Sequence, residues 1–153
     1  MYGSGGTGKT YLWKTIIATL RSKGKIVLAI ASSGIASLLL PGERTSHSKF
    51  KIPIKLDGDS SCNIKQGSQL VELICKASLI IWDEPPMEHR NAFEVVVITF
   101  KDIMRVHDPY SESKVFGGKV VVPRGDFRQI LLVVPKSGRE EVVGASISKS
   151  TRI

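Results

Sequence analysis

Hydrophobic residues in the first third of the chain change from a helical spacing to a continuous run. Several recur three and four positions apart after residue 10, and they predict a helix that ends near Gly24. These are Leu12, Trp13, Ile16, Ile17 and Leu20. The apolar run of residues 26–31 predicts a strand that is buried on both faces. Trp13 and Trp82 both stand among periodic apolar residues, and we expect both indoles in the core.

The rest of the chain continues to alternate between helix and strand patterns. In order, the patterns predict a short helix, a long polar surface connection, a helix, a strand, a further helix and a strand: residues 35–40, 43–68, 70–77, 79–82, 90–106 and 120–122. The β-branched run at 95–99 lowers the helix propensity of its segment. From residue 136 the chain is polar with little period. This alternation is typical of an α/β fold with a parallel sheet and crossover helices.

The composition limits the chain to a globular domain, or part of one, with a basic surface. Of its 153 residues 42% are hydrophobic, and 22 Lys and Arg against 14 Asp and Glu give a net charge of +8. That excess favours a nucleic-acid partner, although a nucleotide-binding protein can also simply be basic. No apolar stretch is long enough to span a membrane, so no membrane partner is expected. Cys62 and Cys75 lack zinc-type companions, and we expect free thiols without a disulfide partner.

A complete phosphate-binding loop stands at residues 3–10. It matches the pattern G-x-x-x-x-G-K-[ST] and consists of Gly3, Ser4, Gly5, Gly6, Thr7, Gly8, Lys9 and Thr10. The glycines turn backbone N–H groups toward an anion, and the following helix adds the positive end of its dipole. We expect Lys9 to reach the β- and γ-phosphates and Thr10 to hold Mg²⁺. The loop therefore predicts a nucleoside triphosphate site.

Three further residues fit the chemistry of nucleotide hydrolysis. Asp83 and Glu84 end a predicted buried strand, at the edge where parallel sheets bind ligands. We expect Asp83 to hold Mg²⁺ and Glu84 to deprotonate the attacking water. Without the loop, this pair would be interpreted as an exposed strand end. Gln129 follows the last predicted strand and is either a γ-phosphate sensor or an ordinary surface residue.

A second group of residues offers contacts to nucleic acid. The amides and small hydroxyls of residues 32–34 can approach a phosphate closely. Lys49, Phe50, Lys51 and Lys55 supply positive charge and one ring for base stacking, the combination used in binding single strands without sequence preference. A solvated loop is the alternative interpretation of the same lysines. The sequence leaves this choice open.

Several motifs follow one another in a fixed order: the loop at 3–10, then residues 31–36, 45–48, 83–84 and 125–129. Together they resemble the first motor domain of the Pif-type (petite integration frequency) DNA helicases, with the best match in the plant group related to helicases of Helitron transposons. The resemblance covers nearly the whole chain. It implies a RecA-like P-loop NTPase sheet that lacks its first strand. Residues 1–135 would then form a partial first motor domain, and residues 136–153 a polar tail that stops before the second.

The resemblance also implies an activity and roles for individual residues. The family couples ATP hydrolysis, with Mg²⁺, to 5′-to-3′ unwinding of DNA in repair, recombination and telomere maintenance. Its partners are single-stranded DNA or a DNA fork, and the implied location is the nucleus. By this resemblance Lys9, Glu84 and Gln129 are catalytic, and Thr10 and Asp83 bind the metal. The implied contacts to single-stranded DNA are Ser32, Ser33, Gly34, Thr45 and His47.

Two segments near the proposed site depart from the family pattern. The usual Asp-Glu-Ala-Pro-Met is replaced by residues 83–87, in which Pro85 is expected to hold Glu84 extended. Pro123 and Arg124 precede Gly125, where an apolar residue and two glycines are usual.

Because a second motor domain is missing from the pattern, this chain alone is not expected to unwind DNA. Two alternatives stay open: a truncated or transposon-derived remnant that at most binds nucleotide or single-stranded DNA, and another P-loop NTPase such as a kinase or switch protein.

Overall fold

A four-stranded parallel sheet organises the part of the chain that the computed structural model describes, namely residues 8–38, 42, 44–56, 60–125 and 138–150. Its strands are β1 Ile26–Ala31, β2 Arg44–Thr45, β3 Ala77–Asp83 and β4 Val121–Arg124. Their order across the sheet is β2-β1-β3-β4, and each pairing is parallel. Since parallel neighbours require crossover connections, the helices lie between the strands in sequence. The predicted α/β fold is confirmed.

Helices fill the connections of this sheet in the described ranges. The α-helices are α1 Lys9–Ser22, α2 Ser46–Phe50, α3 Gln69–Lys76, α4 Arg90–Arg105 and α5 Arg139–Gly144. Short 3₁₀ helices lie at Ala36–Leu38, Pro85–Met87, Pro109–Ser113, Val115–Gly118 and Ile147–Lys149. The short helix predicted at 35–40 is thus a 3₁₀ turn in its described part. None of the described helices is long and apolar enough to cross a membrane.

Apolar side chains pack against both faces of the sheet. On one face, Trp13 and Ile17 of α1 pack with Val27 and Ala29 of β1 and with Ile81 of β3. On the other face, α3 and α4 contribute to a larger cluster that surrounds the indole of Trp82. Burial of β1 on both sides confirms the interpretation of its continuous apolar run. Both tryptophans lie in the core, as predicted.

Tertiary packing stabilises α4 despite its β-branched residues. Val95, Val96 and Val97 are all buried, so the helix gains burial energy that outweighs a poor intrinsic propensity. Thr99 of the same helix also makes two buried hydrogen bonds through its hydroxyl. Its hydroxyl donates to the carbonyl of Val95 at 2.8 Å and accepts the N–H of Cys62 at 2.9 Å. The loop before α3 is therefore fixed to α4.

The prediction of a surface connection over residues 43–68 is wrong in part. This segment contains β2 and α2, and its side chain Phe50 is 0% exposed. The Phe50 ring packs edge-on against Phe100, with centroids 5.2 Å apart, and against Trp82 at 6.3 Å. A ring held in the core cannot stack on a base, so the proposed stacking role of Phe50 is also wrong. Ile52, two residues further along, is buried in the same cluster, so this polar segment contributes apolar residues to the core.

The described residues 138–150 pack against the start of α4. The N–H of Arg90 donates to the carbonyl of Ala145 at 2.8 Å, and Ala145 itself is buried. The hydroxyl of Ser150 donates to the Glu94 carboxylate at 2.7 Å. This polar segment therefore has a helix and specific contacts. The division of the chain at residue 135 stays a prediction.

Candidate nucleotide-binding site

Three elements meet at the carboxyl edge of the sheet. The register pairs Ala31 of β1 with Asp83 of β3, and Asp83 with Arg124 of β4. The N-terminus of α1 lies beside them, since the Arg124 guanidinium reaches the Thr10 hydroxyl. Carboxyl ends of parallel strands are where α/β sheets bind ligands. The structure thus brings Thr10 close to the Asp83–Glu84 strand end, from which it is distant in the sequence.

The local conformation of Gly8 determines how α1 begins. Gly8 has φ 76° and ψ 9°, a left-handed conformation that glycine adopts without steric cost. It is the N-cap of α1 and supplies no side-chain cap to the first amides of the helix. The first amides of a helix and the helix dipole favour an anion at such a position. The predicted residues Gly3, Ser4, Gly5, Gly6, Thr7 and Gln129 lie outside the described residues, and their roles stay predictions.

Asp83 and Arg124 form a buried ion pair. Their side chains are 1% and 5% exposed, and Arg124 Nε lies 3.0 Å from Asp83 Oδ1. Although the atoms are close, the N–H direction does not make a hydrogen bond within the described residues, so the contact is mainly ionic. Burial raises the pKa of Asp83 to about 6, against the lowering effect of the Arg124 charge. Lys9 also lowers the pKa of this carboxyl, which places its charge nearby.

Glu84 adopts a strained conformation next to Gly125. It has φ 50° and ψ 47°, so the expectation that Pro85 holds it extended is wrong. Backbone hydrogen bonds explain the difference, because its N–H donates to the Arg124 carbonyl at 2.7 Å and its own carbonyl accepts the N–H of Met87 at 3.1 Å. A Cβ atom on residue 125 would lie 2.7 Å from Glu84 Oε2. Glycine at 125 therefore gives the carboxylate its room.

The predicted magnesium ligands do not fit a metal ion in this arrangement. Arg124 Nη2 donates to Thr10 Oγ1 at 3.3 Å, while Nε of the same guanidinium faces Asp83. Mg²⁺ needs oxygen ligands at about 2.0–2.1 Å in an octahedron and usually retains several waters. A guanidinium has the same sign of charge and no acceptor atoms. Among the described residues, no group of three His, Cys, Asp or Glu side chains offers another metal site.

The predicted DNA-contact residues lie at the same edge, after β1 and β2. Because Ala31 pairs with Thr45, residues 32–34 and 45–47 begin side by side. Ser33 Oγ accepts the N–H of Ala36 at 3.2 Å, and Thr45 Oγ1 caps α2 by accepting from Ser48 at 3.3 Å. Both hydroxyls are thus used in local structure. The backbone of Gly34 is exposed, and its contact with DNA stays a prediction.

Sequence reasoning missed Glu88, a buried carboxyl that connects the two groups of residues. Glu88 accepts hydrogen bonds from Ser46 and Ser32 and lies 3.9 Å from His47 Nδ1. Burial raises the pKa of Glu88 to about 7, although both hydrogen bonds lower it. Ser32 in turn accepts the indole N–H of Trp82 at 3.2 Å. A glutamate in a Pro-rich turn resembles a surface residue, so its sequence context carries no signal.

Glu88→Gln is expected to stabilise the protein at pH 8 and to change little at pH 4. The folded pKa is raised, so the contribution of the protonated carboxyl is complete below the unfolded value of 4.5 and is lost as pH rises through about 7. A neutral amide avoids that loss. At about 1.4 kcal/mol per pKa unit, we expect a gain of about 1–3 kcal/mol at pH 8 from urea unfolding. Glu72→Gln, at an exposed site, is the control. A pH-independent difference would contradict the account of Glu88.

The fold and the site define a class of protein, the P-loop type of nucleotide-binding α/β domain. A Gly-Lys-Thr helix start and an Asp-Glu strand end meet at the carboxyl edge of one parallel sheet. Residues 1–152 match the protein family described as "PIF1-like helicase". The chain therefore belongs to the PIF1-like helicase family. Membership of this family excludes the alternative of an unrelated P-loop kinase or switch protein.

Similar proteins come from protists and bacteria. The ATP-dependent DNA helicase PIF4 of Trypanosoma brucei brucei is 33% identical over 135 residues, which cover 84% of this chain and 16% of that protein. The ATP-dependent DNA helicase Pif1 of Psychrobacter sp. is 35% identical over 130 residues, 84% of this chain and 19% of that protein. The chain thus spans under a fifth of either relative.

A solved structure of the same family has the same fold. The Bacteroides Pif1 helicase in complex with ADP-AlF3 and single-stranded DNA superposes with a TM-score of 0.78 at 28% identity. The superposition covers 98% of this chain and 34% of that one. The Bacteroides Pif1 bound to single-stranded DNA gives a TM-score of 0.73 at 30% identity over 93% of this chain and 31% of that one. These matches confirm the RecA-like motor fold.

Proposed function

We propose that this chain is the ATP-binding part of the first motor domain of an ATP-dependent DNA helicase. One observation carries the proposal: the N-terminus of α1 and the Asp83–Glu84 strand end meet at one sheet edge. Relatives named as ATP-dependent DNA helicases, and a similar structure that holds ADP-AlF3, support nucleotide as the ligand. ATP is the substrate in this proposal.

The residues at this edge suit attack of water on the γ-phosphate. Lys9 and the first amides of α1 would hold the phosphates and stabilise the charge that develops on the leaving β-phosphate oxygen. Glu84 would accept the proton from water as the new oxygen–phosphorus bond forms and the bond to ADP breaks. Gln129 would respond to loss of the γ-phosphate. Magnesium is implied by the family, but its predicted ligands Thr10 and Asp83 do not fit it, because Arg124 lies between them.

DNA is the proposed polyanionic partner of the complete motor. The net charge of +8 and the adjacent positions of residues 32–34 and 45–47 support contact with a single strand or a fork. Unwinding with 5′-to-3′ polarity, roles in repair, recombination and telomere maintenance, and a nuclear location rest on the family resemblance. Membership of the plant and Helitron-related group rests on the same resemblance.

A second candidate function is nucleotide binding without turnover. The Arg124 contact to both Thr10 and Asp83 favours it, because that contact uses the two side chains expected to hold the metal. Steady ATP turnover that single-stranded DNA stimulates would favour the active helicase segment. Saturable ATP binding without phosphate release would favour this second candidate.

Lys9→Ala is expected to weaken binding of a fluorescent ATP analogue by about tenfold or more. The charge-assisted contacts of one lysine with phosphate account for a loss of this size. Fluorescence anisotropy of the analogue measures the dissociation constant directly. Lys14→Ala removes an exposed lysine of the same helix and is the matched control, with an expected change below about twofold. Equal binding by wild type and Lys9→Ala would exclude the proposed site.

A further inference from the structure

Arg124 lies between the two sides of the candidate site, the end of β3 and the start of α1. In the parallel pairing of β3 and β4 it is the direct partner of Asp83. Its Nε lies 3.0 Å from Asp83 Oδ1, and its Nη2 donates to Thr10 Oγ1 at 3.3 Å. One guanidinium thus bridges the two side chains that were predicted as magnesium ligands.

Arg124 is a buried cation of this site. Its guanidinium carries a positive charge, and its side chain is only 5% exposed. A buried arginine beside a buried carboxylate cannot leave without breaking an ion pair. Within the described residues, its Nη1 has no hydrogen-bond acceptor. A buried donor with no acceptor in the described part of the chain, on a guanidinium that reaches the start of α1, is suited to a phosphate oxygen.

We propose that Arg124 replaces the divalent metal of this nucleotide site, so that the chain binds ATP without Mg²⁺. The proposal rests on the proposed nucleotide-binding function. The guanidinium supplies the positive charge between Thr10, Asp83 and the phosphates, and its Nη1 donates to a phosphate oxygen. The ligand class is therefore the metal-free nucleoside triphosphate anion.

The metal dependence of ATP binding tests this role. Binding of a fluorescent ATP analogue is measured in EDTA and in excess Mg²⁺ for wild type, Arg124→Gln and Arg124→Gly. Wild type is expected to change less than about threefold between the two conditions. Both variants are expected to lose about tenfold or more in EDTA, and Mg²⁺ should restore much of that binding. Arg105→Gln, at an exposed position on α4, is the control and should behave as wild type.

Each outcome separates the two proposals. The role of Arg124 would be overturned, and the nucleotide site left intact, by one result: wild-type binding depends on Lys9 and is about tenfold or more weaker in EDTA than in Mg²⁺. Unchanged EDTA binding by both Arg124 variants would overturn it as well. Wild-type binding that is absent in both conditions, or that Lys9→Ala leaves unchanged, would overturn the nucleotide site and the Arg124 role together. Circular dichroism of each variant shows whether the fold is retained. Two different substitutions at Arg124 are used so that the test still stands if one variant fails to fold.

Discussion

Trp82→Ala is expected to lower the free energy of unfolding by about 3–5 kcal/mol. The side chain is 0% exposed and contacts the rings of Phe93 and Phe50, at centroid distances of 4.4 and 6.3 Å. Deleting the indole removes apolar burial and leaves a cavity under the sheet. Since domains of this size are stable by about 5–15 kcal/mol, the loss is a large part of the total. Urea unfolding followed by circular dichroism measures it.

Trp82→Phe is the matched control for the ring itself. Phenylalanine keeps an aromatic group in the cluster but cannot donate to Ser32, as the indole N–H does at 3.2 Å. We expect it to cost clearly less than the alanine variant, at about 1–2 kcal/mol. A change below about 1 kcal/mol for Trp82→Ala would show that Trp82 is not the centre of the core.

Asp83→Asn is expected to destabilise the protein by about 3–5 kcal/mol, because it leaves the Arg124 charge buried without a counter-ion. The amide keeps the shape of the carboxylate, so packing is nearly unchanged. Arg124→Gln is expected to cost less, since Asp83 can become neutral by binding a proton at its raised pKa of about 6. The double variant should recover about 2 kcal/mol or more relative to Asp83→Asn.

A double-mutant cycle of urea unfolding measures this coupling. Asp102→Asn with Arg105→Gln is the matched surface pair, in which both side chains are more than half exposed and the coupling should be below about 1 kcal/mol. Additive effects at Asp83 and Arg124 would show that the close contact between them has no energetic consequence.

Hydrogen bonds connect the nucleotide edge to the segments predicted to contact DNA. The N–H of Ser32 donates to the carbonyl of Asp83 at 3.0 Å, and its hydroxyl receives the Trp82 N–H. Glu88 holds Ser46, next to Thr45 and His47, from the turn that follows Glu84. The strand that ends at Asp83–Glu84 and the turn that follows it therefore have direct hydrogen bonds to both segments.

Elements with a long continuous pattern could be predicted from the sequence. The apolar run at 26–31 became β1 without change in bounds, and the helical spacing after Thr10 became α1. β2 has only two residues, so it carries no period, and its existence depends on pairing with Ile30 and Ala31. The valines of α4 favour a strand locally, and only burial against the sheet decides for a helix.

The candidate site was predictable as a set of motifs but not as a set of contacts. Gly8, Lys9, Asp83 and Glu84 carry signals that the sequence shows directly. The pairing of Asp83 with Arg124 depends on the register of β3 and β4, which no local pattern specifies. For Arg124 the only signal was a departure from the family pattern. The structure gives that departure a physical consequence, a fixed cation beside the predicted metal ligands.

A nuclear magnetic resonance titration with ATP tests the location of the site most directly. With the chain labelled with nitrogen-15, the account predicts the largest amide shifts at Gly8, Lys9 and Thr10 and at the strand ends Glu84 and Gly125. Amides at the opposite edge of the sheet, such as Gly24 and Lys119, should stay unchanged, and Lys9→Ala should need about tenfold or more ATP to produce the same shifts. Shifts confined to the opposite edge, or a titration midpoint that Lys9→Ala leaves unchanged, would contradict a nucleotide site at the carboxyl edge.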